Sequence, residues 1–153
     1  MLAKRKAIAL AAAITLGPLT AAADVDLPIK GGDDYTSPTS VAGAETVSTK
    51  QAYDLWRDRV TFVDVRSNTD WDAGRIPGAR HINNDPGGEV QNLSASRLSE
   101  IAAKDDPLVI YCNGVGCDRS SWGAALAATW GWSEVYYFRE GYPAWETAGY
   151  PVE

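Results

Sequence analysis

Two cysteines, Cys112 and Cys117, lie five residues apart in the stretch LVIYCNGVGCDRSSWGAALAATW, which runs from Leu108 to Trp130. Cys112 directly follows a short apolar run, and the residues after it are Asn113, Gly114, Val115 and Gly116. A glycine-bearing loop between a strand and a helix turns successive backbone N–H groups inward, and the helix adds the positive end of its dipole. A thiol held there is stabilised as thiolate, its pKa falling from about 8.5 to somewhere between about 3.5 and 7.5. The same cradle suits an anion that approaches the sulfur, and the fork of Arg119 at the helix start would bind one. Nucleophilic sulfur chemistry at Cys112 is therefore the leading expectation. The two glycines suggest backbone angles that other residues avoid.

Other candidate groups have plainer readings. Asp64 and Arg66 follow an apolar run and read as a structural ion pair or as organisers of a nearby site. His81, the one histidine, reads as a satisfied structural side chain, because an ionised thiol needs no base. Two cysteines and one distant histidine fit no zinc spacing, so neither a metal nor another cofactor is expected. The six tryptophans read mostly as core or rim packing, with Trp122, one turn into the helix, able to flank a pocket.

The chain has 153 residues, enough for one domain with a real core. Lys4, Arg5 and Lys6 precede an apolar run from Ala7 to Leu16, a Gly17-Pro18 break and the small residues Ala21-Ala22-Ala23. That layout predicts a secretory signal over residues 1–23, cleaved before Asp24, and a run too short to span a bilayer. Periplasmic export without a lasting membrane attachment is the expectation. Removing the three basic residues would move the formal charge from −6 to about −9. Such an acidic domain lacks the basic footprint that nucleic-acid binding needs. Residues 24–44 are rich in Asp, Gly, Pro, Ser and Thr and predict an extended arm.

From residue 45 to 153 strand and helix patterns alternate. ETV suggests a short strand, Ser48 and Gln51 form a capping box for a helix over TKQAYDLWRDR, and VTFVDV reads as a buried strand. A brief helical turn, an Ile-Pro-Gly turn and a short strand lead to Ile82, and Pro86-Gly87-Gly88 punctuates the next loop. LSASRLSEIAAK predicts a helix, LVIY a strand, Ser120 to Trp130 a small-residue helix, VYYF a strand, and PAWETAG a last helix opened by Pro143. The order predicts an α/β domain, a parallel sheet with helices on both faces. Ligands in such folds bind beyond the carboxyl ends of the strands, where Cys112 falls.

Three stretches, FVDVRSNTDWDAGRIPGARHI, LVIYCNGVGCDRS and VYYFREGYPAWETAGYPV, resemble the single-domain rhodanese family. The resemblance implies the rhodanese-like fold and sulfane-sulfur transfer through a persulfide on Cys112. It implies a small anionic donor such as thiosulfate and a thiol or cyanide acceptor, with Asp64 and Arg66 at positions that help organise the site. Arg75 and Asp70 stand where the family commonly has His and Glu. The family's usual loop is C-x-x-x-x-R, whereas Arg119 here stands seven residues after Cys112 and a second cysteine intervenes. In layout the loop resembles exported rhodanese-like proteins with two loop cysteines, some carrying C-x-x-C-W. Cys117 then has three readings: partner in a resting disulfide that gates activity, resolving thiol that attacks the persulfide, or bystander. Other classes remain alongside. A phosphatase or arsenate reductase on this fold uses C-x-x-x-x-x-R, a loop one residue shorter. A thiol–disulfide protein working with a periplasmic redox partner would use the cysteine pair, though it lacks C-x-x-C spacing. A sulfur-carrying or binding module without turnover would suit the arm.

Overall fold

The computed structural model describes residues 34–85 and 92–153; the expected signal, the first part of the arm and the Pro86-Gly87-Gly88 punctuation lie outside them. Five parallel strands form one sheet in the order β1-β5-β4-β2-β3, where β1 is Glu45–Thr46, β2 Thr61–Asp64, β3 Arg80–His81, β4 Leu108–Tyr111 and β5 Val135–Phe138. The central strand β4 is buried along its whole length, as an uninterrupted apolar run predicts for a strand covered on both faces. Alternate residues serve opposite cores. Leu108, Ile110 and Cys112 join Val63, Val65 and Ala124 on one side, while Val109 and Tyr111 join Phe62, Ala52 and Trp145 on the other. That period of two puts Cys112 on the side covered by the helix that follows it.

Helix α1, Thr49–Arg57, starts at the expected capping box: the Ser48 hydroxyl accepts the Gln51 N–H, and Gln51 Oε1 accepts the Ser48 N–H at 2.9 Å. It ends two residues short of the expected Arg59. There the Arg59 N–H donates to the Trp56 carbonyl and the Val60 N–H to the Leu55 carbonyl, a double closure with Arg59 at φ +63°. Helix α2 is Asn68–Ala73, capped by Ser67. Helix α3, Ala95–Ser99, is shorter than the pattern predicts. Asp106 Oδ2 accepts the Ala103 N–H at 2.8 Å, which draws the chain into a turn before Pro107 opens β4.

Helix α4, Arg119–Thr129, begins one residue earlier than expected and faces the sheet with Gly123, Ala124 and Ala127. A Cβ on Gly123 would lie 3.2 Å from Ile110 and 3.3 Å from Leu93, so small residues are what let this helix sit close. Helix α5, Gly141–Thr147, opens two residues ahead of Pro143. Proline is accommodated because the first four N–H groups of any helix lack an intrahelical acceptor. No helix among the described residues is long and apolar enough to cross a membrane.

Candidate functional site

Cys112 emerges from the carboxyl end of β4 only 1% exposed and is joined by a disulfide to the part-exposed Cys117. Its backbone is clamped from the neighbouring connection: the Tyr142 N–H donates to the Cys112 carbonyl at 2.9 Å. That approach depends on Gly141, at φ +63°, where a Cβ would overlap the Cys112 carbonyl oxygen and lie 2.7 Å from the Gly114 nitrogen. Between the cysteines, Gly114 takes φ +95° and its carbonyl accepts the Cys117 N–H at 3.0 Å. Gly116 differs from the expectation, since its backbone is ordinary and a Cβ there would meet nothing within 4 Å. Among the described residues, the backbone N–H groups of Asn113, Gly114, Val115 and Gly116 donate to no protein acceptor.

Behind the loop lies a buried polar cluster. Arg66 donates through Nε and Nη2 to both carboxylate oxygens of Asp64, the shortest contact being 2.6 Å, and Nη2 also reaches the Gly74 carbonyl at 2.7 Å. Tyr111, the residue before Cys112, donates its hydroxyl to Asp64 at 2.6 Å and accepts the Ile76 N–H at 3.3 Å. Burial pushes the Tyr111 phenol far up, and the Asp64 carboxylate adds to that, so it stays a donor. The Tyr142 ring lies over the Arg66 guanidinium at 4.3 Å. Asp64 and Arg66 thus neutralise each other in the core and fix the last residue of β4. His81 stacks on Trp71 and meets the Arg66 carbonyl at 3.0 Å.

Toward solvent, the Asn113 side chain donates to Asp70 Oδ2 at 2.9 Å. The Ser67 hydroxyl, with help from Asn113 and Arg66, holds the Asp70 carboxyl below its ordinary range. Glu140 accepts both the N–H and the hydroxyl of Thr49, tying α1 to the start of α5. Loop and helix together bound an open cleft of about 620 Å³, lined by Thr49, Asn113, Val115, Glu140 and Pro143 among others. Val115 is 45% exposed and stands at its rim. Trp122 does not line it.

The structure brings Cys112, Cys117 and residues 113–116 into one loop and directs Arg119 elsewhere. Its Nη1 donates to Asn83 Oδ1 at 2.7 Å and its Nη2 lies 3.5 Å from Asp85, on the connection after β3. Its carbonyl accepts the Asn84 side-chain amide at 3.2 Å. Arg119 anchors the far end of the loop rather than standing as a free fork. Sequence reasoning expected the arm but not its contact with the cysteine loop. Ser37, 1% exposed, donates its N–H to the Val115 carbonyl at 2.7 Å, and its carbonyl accepts two bonds from Arg139. No local pattern marks Ser37, because it meets the loop through backbone atoms alone.

With the disulfide closed the loop holds an electrophile; opened, it holds a buried sulfur at the end of β4, in a loop whose amides at 113–116 donate to no protein acceptor among the described residues and which leads into an eleven-residue helix. Among the described residues no group of His, Cys, Asp and Glu is arranged to hold a metal ion. The profile of the rhodanese-like domain matches residues 48–148. An HTH-type transcriptional regulator of Mycobacterium tuberculosis is 33% identical over 129 residues, 79% of this chain but 53% of that protein, so the chain spans about half its length. The thiosulfate sulfurtransferase GlpE of Ectopseudomonas mendocina is 31% identical over 107 residues, covering 70% of this chain and 88% of that enzyme. The rhodanese-like domain of an Anabaena protein, solved by NMR, superposes with a TM-score of 0.59 at 22% identity, covering 71% of this chain and 77% of that one.

Proposed function

From the premise that this chain belongs to the rhodanese-like domain family, we propose that it is a sulfurtransferase in which Cys112 carries the sulfur. The observation that supports this most is the position of Cys112, clamped at the end of the central strand and ahead of α4. The cycle begins with the reduced loop. The Cys112 thiolate attacks the outer sulfur of thiosulfate, a new S–S bond forms, and sulfite leaves with the electron pair of the broken bond. Amides of Asn113, Gly114, Val115 and Gly116 stabilise the persulfide anion. A thiolate or cyanide then attacks the terminal sulfur and carries it off, returning the Cys112 thiolate.

Cys117 is the gate. Its attack on the inner sulfur of the persulfide expels hydrosulfide and closes the disulfide that the structure holds. Reopening needs two electrons from a dithiol, the role we assign to a periplasmic redox protein. Residues 1–23, read as a signal, would deliver the chain to that compartment. In this proposal Arg119 shapes the loop, and the donor anion is held by amides.

Mass measurement of reduced protein after incubation with thiosulfate tests the assignment. Wild type should gain about one sulfur atom, Cys112→Ser none, and Cys117→Ser one that persists longer. The bonded pair also favours a second reading, a thiol–disulfide redox protein. No sulfur adduct with any donor, together with rapid exchange of the disulfide with thioredoxin-like proteins, would establish that reading instead.

A further inference from the structure

At the amino ends of the strands, away from Cys112, a second cleft of about 710 Å³ opens between the end of α1, the start of β2 and the Pro77-Gly78 turn. Its lining contains Arg57, Arg59 and Arg80 together with Trp56, Val60 and Ile101, and no carboxylate among the described residues. Asp58, between the first two in sequence, lines a different cleft with Glu45 and Asp54. In a chain of net charge −6, three cations gathered in one hollow are unexpected. Arg66, Arg75 and Arg119 each meet a carboxylate; among the described residues none of the three cleft arginines does.

The helix dipole accounts for Arg57, in the last turn of α1. It does not account for the other two. Arg59 is the one non-glycine residue with positive φ among the described residues, at the closing position of a helix where glycine is favoured. A side chain kept where the backbone disfavours it points to a role for that side chain. Trp56 supplies a fixed apolar wall, its Nε1–H held by the Pro77 carbonyl at 2.9 Å. The volume is that of a small-molecule site.

We propose that this cleft binds a small organic polyanion: two or three carboxylate or phosphate groups on a flat apolar body laid beside Trp56, each anionic group met by a guanidinium. The site is separate from the cysteine loop and does not depend on sulfur transfer.

Calorimetry on the full chain at low salt tests it, with benzene-1,3,5-tricarboxylate, benzoate and inorganic triphosphate as probes. The tricarboxylate should bind saturably and about tenfold or more tighter than benzoate, and weaken as salt rises. Triphosphate tighter than the tricarboxylate would support a phosphate ligand, and the reverse a carboxylate. Arg80→Gln and Arg59→Gly should each weaken binding by about fivefold, while Arg59→Gly melts at or above the wild-type temperature. Benzoate binding as tightly as the tricarboxylate, or unchanged binding in both variants, would overturn the proposal. So would a polyglutamate peptide that binds more tightly than either small probe. A lower melting temperature for Arg59→Gly would remove the backbone argument and count against it.

Discussion

Replacing Gly141 by alanine separates two costs that the geometry keeps distinct. At φ +63° an alanine pays about 1 kcal/mol for its backbone conformation. Its Cβ would also overlap the Cys112 carbonyl oxygen, fixed at the end of β4, and crowd the Gly114 nitrogen; both are backbone atoms rather than the end of a flexible side chain. Forced overpacking of this kind costs about 1–3 kcal/mol. Separating the chains to relieve it weakens the Tyr142–Cys112 hydrogen bond, worth about 1 kcal/mol. The total is about 3–5 kcal/mol, or a fall in melting temperature of roughly 10–15 °C for a domain of this size. Gly78→Ala is the control. It has φ +78° and nothing within 4 Å of the new Cβ, so it carries the backbone cost alone, roughly 3 °C. Thermal unfolding of the oxidised proteins, followed by near-ultraviolet circular dichroism, gives both numbers. If Gly141→Ala melts within about 3 °C of Gly78→Ala, the close approach of the two connections does not hold the cysteine loop and the reasoning fails.

Asp64→Asn leaves the Arg66 guanidinium buried without its counter-charge and should cost about 3–5 kcal/mol in urea unfolding; the double variant with Arg66→Met should recover a large part. Tyr111→Phe strands the Ile76 N–H and removes a donor from Asp64, and should cost about 1–3 kcal/mol in the same assay. Ser37→Pro deletes the N–H that holds Val115, so dithiothreitol should open the disulfide about fivefold faster, measured by thiol release; an unchanged rate would show that the arm does not restrain the loop. Asp70 is held below the usual carboxylate range, so its contribution to stability is present above about pH 4 and is lost as pH falls through its own lowered value. Asp70→Asn should therefore be less stable than wild type at pH 6 and converge with it near pH 2.

The parts of the fold that could be read directly were those written in adjacent residues. LVIY declares a strand covered on both faces because all four of its residues are apolar, and Ser48 with Gln51 declares a helix start because both capping partners lie within one turn. The site was legible as far as one loop reaches. Cys112 and Cys117 could be set together from their spacing, but spacing permits a bond without requiring it. The destinations of side chains were not legible. Arg119 turns toward Asn83 and Asp85 because the connection after β3 happens to place acceptors there. Ser37 is 78 residues from Val115 and touches it only through a backbone N–H, which leaves no mark in residue type. Helix α3 stops early because Asp106 competes for an amide, although its apolar spacing would have carried it further. Arg59 closes α1 in a reversed backbone that its residue type does not announce, since arginine is a good helix former.

The loop is moored at both ends by contacts that belong to the scaffold. Cys112 is pinned by β4 and Tyr142, and Arg119 by Asn83, Asn84 and Asp85. Residues inserted between two such moorings change the span of the arch without displacing either footing. A lineage built on this frame can therefore explore wider or narrower arches, and with them different cargoes, while the attacking atom keeps its place.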